Sequence, residues 1–296
     1  RYGVWYKLPR TDSEAKNEGY IRQNDVCKTD KYHGFLYSKD GNTNTMPIYD
    51  LNGFIVGIQS AIPGNMKGYN SANKTISLPP HGVMPPIMLG ETDSKGIQMY
   101  TVTAYFRHPG VICRPSARNI SLGKGLFIQM AYNPEKEFEM IPLESRDLTP
   151  DWIMGNCMPK MGLHFFKNLS RNLPCEQLYP LFLMYDMEGK LGAFGWTFQG
   201  RPMMSHAAAL SWFHLTPELY PFKFELSQLP PCMMNKDFQV FGINIWLRNP
   251  ESLLCKREDQ PKQVPETPAP VVKPSPTLAW FCLTNYRRKC FCGYFT

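Results

Sequence analysis

Residues 181–196 read LFLMYDMEGKLGAFGW, and this stretch decides the fold class. Two runs of apolar and aromatic residues flank the segment 186–190, whose Gly189 can take the positive φ that a hairpin loop requires. The stretch therefore predicts an antiparallel β-hairpin with strands over 181–185 and 191–196.

Similar short runs of aromatic and β-branched residues recur along the chain, separated by turn residues. The clearest of them cover residues 53–62, 98–106, 125–132, 179–186 and 238–247. The chain also contains 27 prolines and 22 glycines, which interrupt regular structure and suit many short elements. We therefore predict an all-β fold, mainly an antiparallel sandwich or barrel with few short helices. One helix is predicted over 205–213, limited by Pro202 and Pro217.

A change of composition near the C-terminus divides the chain. Residues 259–276 read DQPKQVPETPAPVVKPSP, a proline-rich sequence typical of an extended strap or linker. We therefore predict a main β body over 1–258, a strap or linker over 259–277, and an extension rich in cysteine and aromatic residues over 278–296. Exposed aromatic side chains favour aggregation, so we expect the extension to lie on the body rather than to form a separate adhesive appendage.

The composition also excludes several classes of protein. Of the 296 residues, 43% are hydrophobic and 19% are charged, which supplies enough apolar surface for a folded chain. Charged residues, asparagine, glycine or proline interrupt every long apolar run, so we expect no membrane span. The formal net charge of +7 is dispersed, apart from the run of Arg287, Arg288 and Lys289. We therefore expect no nucleic-acid partner.

Nine cysteines and three glycosylation sequons indicate an exported protein. Cysteines in such number, without two CxxC pairs for a zinc ribbon, favour disulfides, which form in oxidising compartments. The sequons place candidate glycans on Asn73, Asn119 and Asn168. The chain opens at Arg1 without a methionine, as a mature product does after signal removal, so we expect a secreted, extracellular glycoprotein. The candidate disulfide cysteines are Cys27, Cys113, Cys157, Cys175, Cys232, Cys255, Cys282, Cys290 and Cys292.

The odd number of cysteines has a consequence for assembly. If eight of the nine cysteines pair within the chain, one thiol remains free or forms a disulfide with a partner chain. We expect Cys157 to be bonded, with Cys175 as a candidate partner.

The segment before the hairpin carries a resemblance. Residues 159–165 have the pattern Pro-x-Met-Gly-x-His-aromatic, and the hairpin follows after a gap. This arrangement resembles a poorly characterised family of secreted invertebrate proteins. More distantly, it is similar to a bacterial β-sheet domain of unknown function with a Met-Gly-x-His-Trp motif. The resemblance covers residues 98–250 and implies a β-sheet fold and secretion, without an activity.

Histidines supply the candidate metal ligands. His164 lies close in sequence to Met161 and Cys157, and imidazole and sulfur ligands suit copper or zinc. His206 and His214 are eight residues apart, so on a helix they would lie about 12 Å apart, too far to share one ion. If the fold gathers these histidines, we predict a copper or zinc site with an open position at His164, His206 and His214. The alternative is that His164 is a core residue with hydrogen-bonded ring nitrogens.

Aromatic residues supply the candidate ligand site. Six tryptophans, 15 tyrosines and 18 phenylalanines allow a β-sheet interior to enclose a small apolar or flat aromatic ligand. The candidate contacts are Phe166, Tyr185 and Trp196. The alternative is that the same rings fill an ordinary sheet core.

Three functions remain open from the sequence. The first is a secreted β-sheet protein with a histidine-based metal or small-ligand site. The second is an extracellular oxidase or monooxygenase, luciferase-like, that acts on a small aromatic compound. The third is a structural or adhesive matrix protein, in which the basic aromatic extension and the odd cysteine matter most. The chain carries no nucleophile elbow, P-loop, HExxH helix, EF-hand loop or dinucleotide-binding glycine motif, so we assign no catalytic residue.

Overall fold

The computed structural model describes residues 7–67, 75–77, 82–92, 96–115, 124–202, 213–235, 238, 240–255, 280–284 and 290–294. The predicted all-β class is confirmed, because these residues form mainly antiparallel sheets with short helices. The proline-rich strap and most of the predicted helix over 205–213 lie outside the described residues. Phe213, at the end of that stretch, belongs to a strand.

The strands and helices are numbered in chain order. The strands are β1 (Ile21–Arg22), β2 (Phe35–Ser38), β3 (Met46–Tyr49), β4 (Ile55–Pro63), β5 (Asn65–Lys67), β6 (Thr75–Ser77), β7 (Leu89–Thr92), β8 (Gln98–Tyr105), β9 (Leu126–Gln129), β10 (Phe138–Ile141), β11 (Trp152–Met158), β12 (Gly162–Lys167), β13 (Leu181–Tyr185), β14 (Leu191–Gln199), β15 (Arg201–Pro202), β16 (Phe213–Leu215), β17 (Val240–Trp246), β18 (Trp280–Thr284) and β19 (Cys290–Tyr294). The α-helices are α1 (Asp12–Asn17) and α2 (Pro109–Ile112), and 3₁₀ turns cover Ser145–Asp147, Cys175–Gln177, Pro217–Phe222, Leu226–Gln228, Pro231–Met234 and Pro250–Ser252.

Two sheets make up most of the described structure. The first has the order β1-β2-β3-β4-β8-β9-β10, and β7 also pairs with β8. The second has the order β11-β12-β13-β14-β17-β16. The hairpin predicted from residues 181–196 is confirmed as β13 and β14, which pair antiparallel from Leu181 opposite Trp196.

One apolar cluster joins the inner faces of the two sheets. Tyr100 and Val102 of the first sheet and Trp196 and Ile243 of the second belong to it, and all are almost fully buried. Each sheet also has a second apolar cluster on its outer face. Residues 213–235 supply much of the layer that covers the outer face of the second sheet, and we call this segment the cover. Because both faces of the second sheet are covered, its central strands β13, β14 and β17 are buried along their whole length.

Three disulfides hold the body together, as the cysteine count predicts. They join Cys27 to Cys113, Cys157 to Cys255, and Cys175 to Cys232. The expected pairing of Cys157 with Cys175 is wrong. Cys175 begins a 3₁₀ turn beside the cover and pairs with Cys232 there, whereas Cys157 ends β11 near the segment that follows β17.

The two sheets contain the same hairpin loop. In both loops an aspartate Oδ1 accepts hydrogen bonds from the backbone N–H groups two and four residues later, at 2.9 and 2.9 Å for Asp50 and at 3.0 and 2.8 Å for Asp186. The glycine three residues after each aspartate has positive φ, 77° at Gly53 and 78° at Gly189. These loops therefore have one shared conformation, set by a Tyr-Asp-x-x-Gly sequence.

The tyrosine before each aspartate is tied down in the same way. The hydroxyl of Tyr49 donates to the carbonyl of Pro9 at 3.0 Å, and the hydroxyl of Tyr185 donates to the carbonyl of Pro142 at 2.8 Å. Pro9 and Pro142 therefore occupy equivalent positions relative to the hairpin tyrosines of the two sheets.

An arginine beyond the hairpin pairs with each aspartate. Arg107 lies 2.5 Å from Asp50 and Arg248 lies 2.7 Å from Asp186, measured between guanidinium nitrogen and carboxylate oxygen. Each arginine is followed by a short helix that begins with proline and by a cysteine of a long-range disulfide. The described residues therefore form two halves with one plan, one within residues 7–141 and the other within residues 142–294.

The C-terminal hairpin β18–β19 fits this plan. In the first half, β9 pairs with β8 and is followed by β10. In the second half, the backbone of β18 lies alongside β17, the equivalent of β8, and β19 follows. Within β18–β19, Cys282 is opposite Cys292 in the register.

No helix among the described residues is long and apolar enough to cross a membrane.

Candidate functional site

A buried lysine lies on the outer face of the second sheet. Lys223 follows the 3₁₀ turn Pro217–Phe222 in the cover, and only 4% of the residue is exposed. Its Nζ atom lies 3.5 Å from the ring centroid of Phe182 and 4.7 Å from that of Phe213. Within the described part of the chain, no carboxylate pairs with this amine. Burial lowers the pKa of Lys223 well below its usual value, because an apolar site disfavours the charged form of the amine.

Two glycines make room for the rings under the amine. A Cβ atom on Gly195 would lie 2.2 Å from the Phe182 ring, and one on Gly242 would lie 2.5 Å from the Phe213 ring. Because neither glycine has a side chain, the two rings can lie directly against β14 and β17. We call the rings of Phe182 and Phe213 the aromatic floor. Its formation depends on residues from four strands, β13, β14, β16 and β17.

His164 stands beside this floor. It is fully buried on β12, and its ring stacks between those of Phe166 and Phe182, with centroids 6.1 and 5.9 Å away. Its Nδ1 atom lies 3.1 Å from the carbonyl oxygens of Asn156 and Gly162. Since carbonyl oxygens only accept, Nδ1 carries the proton and Nε2 keeps a lone pair.

The imidazole of His164 is neutral in this position. Burial, followed by the nearby Lys223, lowers the pKa of His164 to about 3. Among the described residues, its buried Nε2 atom has no hydrogen-bond partner. The site therefore contains a neutral imidazole and a buried amine among phenyl rings.

We call this site the Lys223 chamber. It is bounded by Lys223, His164, Phe166, Phe182, Phe213 and Phe224. Two buried hydroxyls of this sheet face and its cover, Thr197 Oγ1 and Tyr220 OH, also lack a protein partner. A cavity of about 10 Å³, with room for about one water molecule, lies next to this site and is lined by Phe166, Lys167, Leu169, Leu178, Tyr179, Phe182, Thr197 and Phe224. Buried polar atoms without partners are rare in folded proteins, so their concentration here marks a candidate binding site.

One asparagine attaches the cover to the sheet next to the chamber. Asn156 donates from its backbone N to the carbonyl of Lys223 at 3.0 Å. Its side-chain Nδ2 donates to the carbonyls of Pro221 and Phe224, both at 2.8 Å. These bonds are available because the pairing of β11 with β12 shifts register between Met154 and Cys157, which leaves Asn156 unpaired within the sheet.

The histidines predicted as metal ligands are not all gathered here. His214 is exposed, and it lies opposite Phe241, a residue of the inner cluster, whereas the adjacent Phe213 faces the chamber. Because successive strand residues face opposite sides of a sheet, His164 and His214 belong to different faces. His206 lies outside the described residues. Within the part of the chain that is described, no group of three His, Cys, Asp or Glu residues is arranged to hold a metal ion.

Of the three predicted ligand contacts, Phe166 alone belongs to the chamber. Tyr185 and Trp196 are fully buried in the cluster between the sheets. Sequence reasoning did not select Lys223. The sequence around it, Phe222-Lys223-Phe224, offers only a weak signal, a lysine between two aromatic residues.

The remaining predicted sites have these positions. Asn168 is exposed, as a glycan acceptor requires, and lies at a turn after β12 with a φ of 54°. Asn73 and Asn119 lie outside the described residues. Glycosylation and the sulfur pairing of Cys282, Cys290 and Cys292 stay predictions.

A second opening occurs in the first half. A wide cleft of about 610 Å³ lies where β7 and β9 both pair with the same edge of β8. Its lining includes Lys31, Glu91, Gln98 and Tyr132, and Lys31 pairs with Glu91 at 3.4 Å. Its charged groups are therefore paired and partly exposed, unlike the buried Lys223.

No protein-family model, curated protein or solved structure matches this chain.

Proposed function

We propose that the protein is a secreted, extracellular binding protein whose site for a small, largely apolar ligand is the Lys223 chamber. The observation that carries this proposal is the buried amine of Lys223, held over two phenyl rings without a carboxylate and beside a His164 imidazole with an unpaired Nε2. Three disulfides support an oxidising compartment.

The chamber defines the chemistry of the ligand. Phenyl rings favour a flat or apolar body. The amine of Lys223 donates to an oxygen, and Nε2 of His164 accepts from a hydroxyl. A small aromatic compound with a hydroxyl or carbonyl oxygen meets these requirements. Since the present cavity is small, such a ligand enters by displacement of the cover, whose main chain is bonded to β11 through Asn156.

The test is ligand binding by saturation-transfer NMR, with phenol and 4-hydroxybenzoate as probes of the purified full chain. We expect saturation transfer to the probes in the wild type and in Lys190→Met, a matched exposed lysine of the β13–β14 loop paired with Glu188. We expect its loss in Lys223→Met and in His164→Leu. Equal transfer in all four proteins, or none in any, contradicts the proposal.

A transition metal is a second candidate ligand. His164 keeps the unprotonated Nε2 that copper or zinc binding needs. Further ligands would have to come from outside the described residues, where His206 lies. Elemental analysis of native protein tests this: we expect about one equivalent of copper or zinc that is absent from His164→Leu, and a metal content unchanged by that substitution contradicts it.

The oxidase and matrix-protein hypotheses also stay predictions. A luciferase-like oxidase would consume oxygen with a small aromatic substrate and lose this activity in His164→Ala. A matrix protein would lose self-assembly on deletion of 278–296.

A further inference from the structure

We propose that the C-terminal hairpin β18–β19 contains a fourth disulfide, Cys282–Cys292, and that Cys290 is a thiol that forms a disulfide with another molecule. That molecule supplies a thiol or a disulfide, and it is either a small compound such as glutathione or a second copy of this chain. The inference goes beyond the proposed function, because it does not involve the Lys223 chamber.

The count of cysteines restricts the proposal to this hairpin. Six of the nine cysteines in the sequence form the three disulfides of the body. The three that remain, Cys282, Cys290 and Cys292, all belong to β18 or β19. Two of them can pair with each other, and the third is then left over.

The register of the hairpin selects the pair. Cys282 lies directly opposite Cys292, whereas Cys290 lies opposite Thr284. Residues directly opposite each other in antiparallel strands have Cα atoms about 4.5 to 5.5 Å apart. A disulfide joins residues whose Cα atoms are about 4.4 to 6.8 Å apart. The pair Cys282 and Cys292 therefore fits a disulfide without a movement of the backbone.

The two other pairings within the hairpin fit less well. Cys282 and Cys290 are diagonal neighbours in the register, and such neighbours are about 7 to 8 Å apart, too far for a disulfide. Cys290 and Cys292 are two residues apart on one strand, a distance of about 6.5 to 7 Å at the upper limit for a disulfide. The register therefore leaves Cys290 as the odd cysteine.

Cys290 lies on an edge strand. Within the part of the chain that the structure describes, β19 pairs with β18 alone. The unpaired edge of a strand is a place where another chain can pair. Cys290 is the first residue of this strand, so a partner molecule can approach it along an edge that no described strand covers.

The first half of the molecule has no such cysteines. Its equivalent strands, β9 and β10, read LFIQ and FEMI. The shared plan of the two halves therefore includes this pair of strands but not their sulfur chemistry. The three cysteines are a feature of the second half alone.

The reactions balance with a small disulfide as the oxidant. To form Cys282–Cys292, two thiols give two electrons and two protons to a small disulfide, which becomes two thiols. At Cys290, the thiolate attacks one sulfur of a small disulfide. A new S–S bond to Cys290 forms, the old S–S bond breaks, and the other half leaves as a thiolate that takes up a proton. Oxidation of two Cys290 thiols from two copies balances like that of Cys282 and Cys292.

Peptide mapping without reduction tests the pairing. Free thiols of the full chain, produced by secretion, are blocked with N-ethylmaleimide before digestion. Trypsin cleavage after Lys289 and chymotrypsin cleavage after Phe291 put the three cysteines in separate fragments. We expect the fragment of Cys282 to be bonded to that of Cys292. A bond from Cys290 to either of these cysteines, or to a cysteine of the body, overturns the proposal.

Disulfide exchange tests the role of Cys290. The full chain is incubated with oxidised glutathione at about pH 8, near the usual pKa of a thiol. Intact mass and a non-reducing gel are then recorded. We expect one glutathione per chain or a covalent dimer in the wild type, and neither product in Cys290→Ser.

A matched variant locates the reaction, and the products identify the partner. The double variant Cys282→Ser/Cys292→Ser should form the same product as the wild type, because it keeps Cys290. A glutathione adduct identifies a small thiol as the partner, and a covalent dimer identifies a second copy. Neither product in the wild type, or an equal yield in Cys290→Ser, overturns the role of Cys290.

Discussion

Leu36 and His164 stand at the same place in the two halves of the molecule. Each is the second residue after a glycine of positive φ, Gly34 or Gly162, and each lies opposite the residue before the hairpin tyrosine. Leu36 packs in an apolar cluster, whereas His164 keeps an unpaired Nε2. The two halves therefore hold an apolar residue and a histidine at equivalent positions of the same frame.

The same contrast holds for the floor of the chamber. The positions of Gly195 and Gly242 correspond to Gln59 and Thr101 in the first half, both of which are buried. The side chain of Gln59 donates to Thr103 at 2.9 Å, so the first half has a hydrogen-bonded polar face here instead of phenyl rings. The features that both halves share stabilise the fold. The features that only the second half has are the candidates for a role in function.

The long-range disulfides test the shared frame with the largest expected effect. Cys27–Cys113 and Cys157–Cys255 close loops of similar length, with separations of 86 and 98 residues. Replacing both cysteines of either pair with alanine should lower the free energy of unfolding by about 4 to 5 kcal/mol, because each crosslink restricts the unfolded chain. Urea denaturation of the two double variants checks this, and a strong effect in one half alone would break the equivalence.

The arginine–aspartate pairs sharpen the comparison because they differ in burial. The Arg107 side chain is 8% exposed and that of Arg248 is 34% exposed. Arg107→Met should cost about 3 to 5 kcal/mol, since it leaves Asp50 buried without its partner. Arg248→Met should cost about 1 kcal/mol, because water reaches that pair. Equal losses in urea denaturation would show that burial does not set the strength of this bond.

Lys223→Met removes the buried amine that distinguishes the second half from the first, and it should stabilise the protein. A buried amine without a counter-charge is unfavourable, so methionine should raise the free energy of unfolding by about 1 to 4 kcal/mol at pH 7. Because burial lowers the pKa of Lys223, the unfolded chain takes up this proton at a higher pH than the folded protein, so the gain should grow as the pH falls below 10.5. A destabilised variant, or a gain independent of pH, argues against a lowered pKa of Lys223.

His164→Leu introduces into the second half the residue type that stands at the equivalent position of the first half, Leu36. The variant should have a free energy of unfolding that is less sensitive to acid. Burial lowers the pKa of His164 to about 3, so below pH 6.5 the unfolded chain binds a proton and the folded protein does not. Wild type should therefore lose about 2 kcal/mol more than the variant between pH 7 and pH 5. The measurement is urea denaturation at both pH values, with Leu36→Ala as a control for packing changes in the other half. Parallel losses in wild type and His164→Leu would contradict a neutral His164.

The fold class could be predicted from the sequence because each strand and turn is indicated by residues that are close together in the chain. Residues 181–196 contain two strands and their glycine loop, and similar short apolar runs indicate the remaining sheet. The repeated plan was harder to see, because the insertions between the shared Tyr-Asp-x-x-Gly loop and the shared arginine differ in length between the halves.

The chamber could be predicted only in part. His164 was selected, but its presumed companion His214 lies on the other face of the sheet, a consequence of strand alternation that requires the register. The burial of Lys223 depends on rings from β13 and β16 that occupy the space above glycines of β14 and β17. Such a contact joins distant parts of the chain, and no local pattern around residue 223 contains it.

The charge state of Lys223 at neutral pH tests the account most directly. In protein labelled with ¹⁵N-lysine, the Nζ resonance that disappears in Lys223→Met identifies this amine. We expect that resonance to lose its ammonium chemical shift at a lower pH than the resonance of Lys16, because burial lowers the pKa of Lys223 whereas the hydrogen bond with Asp12 raises that of Lys16. A Lys223 resonance that titrates together with that of Lys16 would contradict the buried, unpaired amine on which the site depends.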